Sequence, residues 1–249
     1  MRKLLPDESA RNLILPKRMV EDIPTMASNT LKMPFSKRRC DGCGRCSSCC
    51  PANAIDTSDG WSIDIGKCIF CMTCIRSCEC KAIDLVDAPL YVSNRTDLIF
   101  RRDRPTEREA TPIDENKRRV IGRSVSIREV DTGSCNACEV EVNSMFNSFF
   151  DADRFGIKIV ASPRHADVLL ITGPLTENMY GAFIDVVAST PDPKILVAMG
   201  TCAISGGIFS KGSVVDIDIR NDIPMDIYIP GCPPSPNRLI LSLISAFKL

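Results

Sequence analysis

The 249-residue sequence has no excess of either charge: Lys+Arg 31 balance Asp+Glu 31. Nucleic acids and membrane surfaces attract chains with a basic excess, so zero net charge argues against both as general partners. It also has no apolar run of the roughly 18 residues that a membrane-spanning helix needs. The segment Leu239–Phe247 is apolar but too short. Nor does Met1-Arg2-Lys3-Leu4-Leu5-Pro6-Asp7-Glu8 open into the apolar stretch of an export signal. The reading is therefore a cytoplasmic chain with reduced thiols. An apolar share of 44% is enough for a globular core, and the length suggests one or two domains.

Cysteine is abundant. There are 14, ten of them between Cys40 and Cys80. Disulfides, structural zinc and iron–sulfur clusters all use cysteine at this density, and a reducing compartment shifts the weight to metal. Shifting the sequence by 28 places Cys40, Cys43, Cys46 and Cys50 on Cys68, Cys71, Cys74 and Cys78. It also places Ala54-Ile55-Asp56 on Ala82-Ile83-Asp84. Two copies of one unit follow each other, each a cysteine loop leading into a short apolar strand. Cys49 and Cys80 break the repeat and read as bystanders.

Cys40-x2-Cys43-x2-Cys46-x3-Cys50-Pro51 is the spacing of bacterial two-cluster ferredoxins, whose fourth cysteine serves the other cluster. A tight turn lets three thiolates at three-residue steps reach one cube, and the fourth points away. The candidate sets are Cys40, Cys43, Cys46 and Cys78 for a first 4Fe–4S cluster, and Cys68, Cys71, Cys74 and Cys50 for a second. Zinc modules separate two cysteine pairs by longer arms and have no use for this doubled spacing. The second copy has Glu79 where a proline is expected. An ionised carboxylate there would lower the potential of a nearby cluster.

The second half changes character. Strands are expected at 125–130, 156–160, 168–172, 194–199 and 225–229, and helices at 139–150, 179–189 and 236–247. Short Val/Ile/Leu-rich strands alternating with helices predict a parallel α/β sheet. Cys135, Cys138, Cys202 and Cys232 each follow closely on one of these strands. The carboxyl ends of parallel strands share one edge, where such folds bind ligands. Buried free cysteine would explain any one of the four. A redox Cys-x2-Cys would explain Cys135 and Cys138 but not the others. All four together form a candidate third four-thiolate set, with Gly200 and Gly231 permitting close approach. Arg101 to Arg119 holds seven basic and five acidic residues and reads as a charged linker.

Residues 120–249 resemble the small subunit of group 4, energy-converting nickel–iron hydrogenases of the formate hydrogenlyase and hydrogenase-4 type, and the related 20-kDa-type subunit of respiratory complex I. The residues carrying the resemblance are Cys135-Asn-Ala-Cys138-Glu139, 153–160, 162–167, Gly200-Thr-Cys202 and Pro230-Gly-Cys232-Pro-Pro234. Residues 34–100 resemble the two-cluster ferredoxin-like subunit of the same complexes, through the cysteine pattern, Cys68-Ile69-Phe70-Cys71 and 91–100. The resemblance implies an extension over 1–33, a two-cluster ferredoxin-like α+β domain over 34–100, the linker 101–119 and a flavodoxin-like α/β domain over 120–249. It implies an oxidoreductase subunit with three 4Fe–4S clusters and no complete active site of its own. Electrons would pass between a low-potential donor, a soluble carrier or a formate dehydrogenase-type protein, and the nickel–iron site of a large partner subunit. The chain would sit peripherally on the inner face of the cell membrane through membrane subunits of the complex. Glu139 falls at the position linked in these hydrogenases to proton transfer, although a first-turn acid also suits a helix dipole. Complex I-type subunits carry adjacent cysteines in the first ligand loop. The separated Cys135 and Cys138 favour a hydrogenase over a quinone reductase. A zinc-binding interaction module is the remaining alternative. His165, the sole histidine, reads as a hydrogen-bonded structural residue, and Arg164 as a donor to a cluster sulfur or to a partner carboxylate.

Overall fold

The computed structural model describes residues 31–37, 40–102, 113–122, 124–210 and 223–249. Leu31–Leu249 form one compact unit. The 28-residue repeat is built into the backbone. The first cysteine loop leads to helix α1 (Arg45–Ser48) and strand β2 (Ile55–Asp56), and the second to helix α2 (Thr73–Arg76) and strand β4 (Ile83–Asp87). Left-handed residues recur at matching places: Gly42 and Phe70 at φ 75° and 56°, Gly44 and Met72 at 71° and 59°, Asn53 and Lys81 at 47° and 49°. The turns that aim the cysteines are thus the same in both copies. At two of them the first copy has glycine and the second a residue that bears a side chain.

Each repeat strand joins its own antiparallel sheet. β1 (Lys32–Ser36), for which the sequence offered no motif, pairs with β4 from Lys32↔Asp87 to Ser36↔Ile83. β2 pairs with β3 (Ser62–Asp64), which pairs with β5 (Ile99–Arg101). Met33, Phe35, Ile63, Ile65, Leu98 and Phe100 are buried between them. Phe35 meets Trp61 edge to face at 5.6 Å, which fixes the indole.

Most of the charged stretch 101–119 lies outside the described residues, at 103–112. Its end forms helix α3 (Glu115–Val120), whose cap Asp114 accepts the Asn116 N–H at 2.9 Å. Lys117 fastens it to Asp226 at 2.6 Å. This helix was not anticipated, because high charge density hid an ordinary N-cap.

The second half contains β6 (Val125–Asp131), β7 (Ile157–Ile159), β8 (Val168–Thr172), β9 (Ile195–Met199) and β10 (Ile227–Ile229). They form one parallel sheet in the order β7-β6-β8-β9-β10. That is the flavodoxin-like order, and β6/β8 is its switch point, where a crevice opens outside the carboxyl ends. Every residue of β8 and β9 is buried, as both faces are covered. The connecting helices are α4 (Ala137–Ser144), α5 (Glu177–Ser189), α6 (Gly200–Ser205) and α7 (Pro236–Phe247). α4 stops six residues before the expected Phe150. The Asn147 carboxamide accepts the N–H groups of Phe149 and Phe150, at 2.9 and 3.0 Å, and turns the chain.

The halves are joined directly. Val92 and Tyr228 exchange backbone hydrogen bonds of 3.0 and 2.8 Å, and Ser242 Oγ donates to the Leu90 carbonyl at 3.0 Å. Among the described residues no helix is long and apolar enough to cross a membrane.

Candidate functional site

Cys68, Cys71, Cys74 and Cys50 line one apolar recess with Pro51, Ile55, Ile63 and Met72. Three of these thiols come from the second loop and α2, and the fourth comes from the first copy. Burial pushes the Cys68 thiol up to about 12, reinforced by the sulfurs of Cys74, Cys50 and Cys71. Cys74 also rises to about 12, through burial and then Cys50, Cys49 and Cys71. Cys71, at the exposed rim, is raised by its partial burial but ends below its ordinary value, because Thr73 hydrogen-bonds its thiolate.

On the other side Cys46 is buried, which raises its pKa; the Trp61 indole opposes that rise and Cys40 adds to it. The Trp61 N–H is buried and faces this sulfur without closing to a hydrogen bond. Cys78 arrives from the second copy. Its sulfur lies 3.6 Å from that of Cys80, which is 4.0 Å from Asp41 in the Cys40–Cys43 loop. Cys43 is exposed, and its side chain hydrogen-bonds the same Asp41. Backbone N–H groups point at sulfur in both copies: Gly42 to Cys40 at 3.4 Å and Phe70 to Cys68 at 3.3 Å, Ala54 to Cys50 and Ala82 to Cys78 at 3.3 Å each. Such donors stabilise thiolate and, with metal bound, the reduced form. Glu79 forms an ion pair with Arg45, both well exposed, so its field at these sulfurs is compensated and screened.

The third group gathers at the carboxyl edge of the parallel sheet. Cys135 and Cys138 follow β6, Cys202 follows β9 and Cys232 follows β10. Burial raises the Cys138 thiol most, and then Glu139, Cys202, Cys232 and Cys135 raise it further. Cys232 is raised by burial and by Cys135. Cys135 and Cys232 remain exposed. Gly200, at φ 84°, leaves the cradle open, since a Cβ there would lie 2.9 Å from Cys138 Sγ.

These donor sets fit iron–sulfur clusters. Sulfurs that raise one another's pKa resist ionising together, and a cationic iron core relieves that repulsion. Ligation requires thiolates, so metal uptake by these protonated thiols releases protons. Among the described residues no three His, Cys, Asp or Glu side chains close to the spacing that holds a single metal ion. A four-iron cube takes a wider cage.

Thr201, buried beside Cys202, joins the second and third groups. Its hydroxyl lies 2.8 Å from the Cys68 carbonyl and 3.0 Å from the Gly231 carbonyl, which share its one proton. Ser205 Oγ donates to the Gly66 carbonyl at 2.8 Å. The recess holding Cys68 thus abuts the third group. Neither Thr201 nor Trp61 was singled out from sequence, because their partners are distant in the chain; adjacency to Cys202 was the only signal for Thr201.

Glu139, in the first turn of α4, is 8% exposed, and neither carboxylate oxygen has a hydrogen-bond partner among the described residues. Nearby Glu129 on β6 is pushed up to about 7 by burial, then by the charges of Glu139 and Asp131. Arg164 and His165 sit exposed on the turn Pro163–His165 that leads into β8. That turn is at the amino ends of the strands, opposite the thiols. Of the two roles expected of Arg164, this position does not serve donation to the third group, and His165 is exposed.

Residues 135–246 match the family model described as the 20-kDa subunit of NADH ubiquinone oxidoreductase. The probable membrane-bound hydrogenase subunit mbhJ of Pyrococcus furiosus is 41% identical over 128 residues, covering 51% of this chain and 77% of that relative. Formate hydrogenlyase subunit 7 of Escherichia coli is 45% identical over 129 residues, covering 52% of this chain and 51% of that relative, about half its length. An NADH-quinone oxidoreductase subunit of Geobacter metallireducens is 47% identical over 107 residues, covering 43% of this chain and 62% of that relative. A chain of the solved membrane-bound sulfane sulfur reductase, an archaeal respiratory membrane complex, aligns at a TM-score of 0.46 and 30% identity, covering 53% of this chain and 72% of that one. With four thiols gathered at the carboxyl edge of a flavodoxin-like sheet, the chain belongs to the family of this membrane-bound hydrogenase subunit, and its residues 135–246 carry the domain of the 20-kDa subunit of NADH ubiquinone oxidoreductase.

Proposed function

We propose that this chain is the electron-transfer subunit of a membrane-associated hydrogenase complex. It would hold three 4Fe–4S clusters: one at Cys40, Cys43, Cys46 and Cys78, one at Cys68, Cys71, Cys74 and Cys50, and one at Cys135, Cys138, Cys202 and Cys232. When bound, these groups supply one-electron stations between a low-potential donor and the active site of a large partner subunit. The chain's own work is to bury, space and tune them. The Thr201 hydroxyl, between the Cys68 and Gly231 carbonyls, is the observation that carries the reading, because it sets the second thiol group against the third. The third group then faces outward, with Cys135 and Cys232 exposed. Val140 on α4 and Ile208 and Phe209 after α6 are exposed apolar residues near it, a surface suited to the large subunit. Membrane subunits of the complex would hold this chain at the inner face of the membrane.

The sequence similarity to a quinone oxidoreductase subunit supports a second reading, a complex I-like chain whose electrons reach a quinone. The separated Cys135 and Cys138 weigh against it. Iron and sulfide counts on anaerobically purified complex test the cluster number. About twelve of each are expected from three four-iron cubes, and about eight in Cys202→Ser. Eight in the unsubstituted chain removes the third site. Hydrogen-dependent reduction supports the first reading, and quinone-linked turnover without hydrogen activity replaces it with the second.

A further inference from the structure

Arg238 in the first turn of α7 is 3% exposed. Its Nε donates to the Pro230 carbonyl at 2.9 Å, its Nη2 donates to the Pro89 carbonyl, and its Nη1 is buried with no acceptor. Among the described residues no carboxylate pairs with it. Burial pulls its pKa down to about 10, with no acid to hold it up. A guanidinium keeps its proton in proteins, and an uncompensated buried charge is strongly destabilising. Among the described residues only two carbonyl dipoles face this charge, so a negative group nearby would stabilise it.

The surroundings identify that group. Pro230 stands two residues before Cys232 in the loop Pro230-Gly231-Cys232-Pro233-Pro234. A four-iron cube bound by four thiolates is net negative and becomes more so on reduction. We propose that Arg238 is the built-in counter-cation of the third thiol group, raising the reduction potential there. It also clamps Pro89, within the ferredoxin-like segment, to the ligand loop. This rests on the reading that Cys135, Cys138, Cys202 and Cys232 hold a cluster. One-electron reduction adds one negative charge and breaks no bond, and Arg238 stays protonated throughout. It is a positioning and tuning residue, not a catalytic one.

The test is a redox titration followed by electron paramagnetic resonance on the anaerobically purified complex, with iron counted in the same samples. Arg238→Gln and Arg238→Met remove the charge, and Arg238→Lys keeps it without the fork. In a neutral variant with full iron, one of the three midpoints should fall, and the other two should hold. The lysine variant should keep the unsubstituted potential. A neutral variant with full iron and unchanged midpoints overturns the proposal. If neither neutral variant assembles, Arg238→Lys decides: a retained potential supports the charge, and a lost one assigns the effect to the hydrogen bonds. Two-thirds of the expected iron in the unsubstituted complex overturns the three-cluster reading instead.

Discussion

The Thr201 hydroxyl lies 2.8 Å from the carbonyl oxygen of Cys68, although the two residues are 133 apart in sequence. Thr201 is 1% exposed, so no water replaces its hydrogen bond if it is removed. Thr201→Val keeps the shape and takes this donor from the Cys68 carbonyl, which costs about 1–3 kcal/mol, whereas the Gly231 carbonyl keeps the backbone N–H of residue 201 at 2.8 Å. Thr201→Ser should recover most of that. Denaturant midpoints of the holoprotein measure both. A valine variant as stable as the serine one means the hydroxyl does not hold these loops together.

Met72 occupies a left-handed turn at φ 59°, where the first copy has Gly44 at 71°. Side-chain-bearing residues cost about 1–2 kcal/mol in that conformation. Met72→Gly should therefore gain at most about 1 kcal/mol once glycine's chain entropy, about 0.5–1 kcal/mol, and the lost methionine packing are subtracted. Gly44→Ala should lose a similar amount. Thermal loss of the cluster absorbance compares the two variants, and a destabilised glycine variant would mean that Met72 packing outweighs its backbone strain.

The repeat of cysteines fixed the local geometry in advance, because φ values, helix starts and N–H contacts to sulfur recur at a spacing of 28. The β8 and β9 strands were equally plain, since residues buried on both faces are continuously apolar. Convergence of Cys135, Cys138, Cys202 and Cys232 followed from parallel strands ending on one edge. Other features were hidden. β1 gains its partner from residues some 50 positions away, so nothing local announced it. α4 ended early through the Asn147 side chain, whose hydrogen bonds a periodicity reading does not weigh. Nothing in the sequence marked Arg238, and only the fold reveals two carbonyls and an empty donor around it.

Glu129 gives the fold a pH dependence. Its folded pKa is raised to about 7 from an ordinary 4.5, chiefly by burial. An acid shifted upward favours the folded state while it is protonated. That contribution is complete below about 4.5 and is lost as pH rises through about 7. Stability should therefore drop across this window more steeply in the unsubstituted chain than in Glu129→Gln. Denaturation midpoints at several pH values give both slopes, and parallel slopes would show that Glu129 does not titrate in that range.

Glu139 separates a structural acid from a working one. A first-turn carboxylate gains stability from the helix dipole when solvent or a hydrogen bond supports it. Glu139 has neither: it is 8% exposed and both oxygens lack partners. Glu139→Gln should consequently leave folding stability nearly unchanged, since one unpartnered buried polar group replaces another of the same size. If the carboxylate instead carries protons to and from the partner's active site, hydrogen turnover of the assembled complex should fall by about 10²–10⁴-fold. Iron content and electron delivery to an artificial acceptor should not change. Unchanged turnover with full iron would leave Glu139 a structural residue, and a loss of iron together with turnover would make it a support for Cys138.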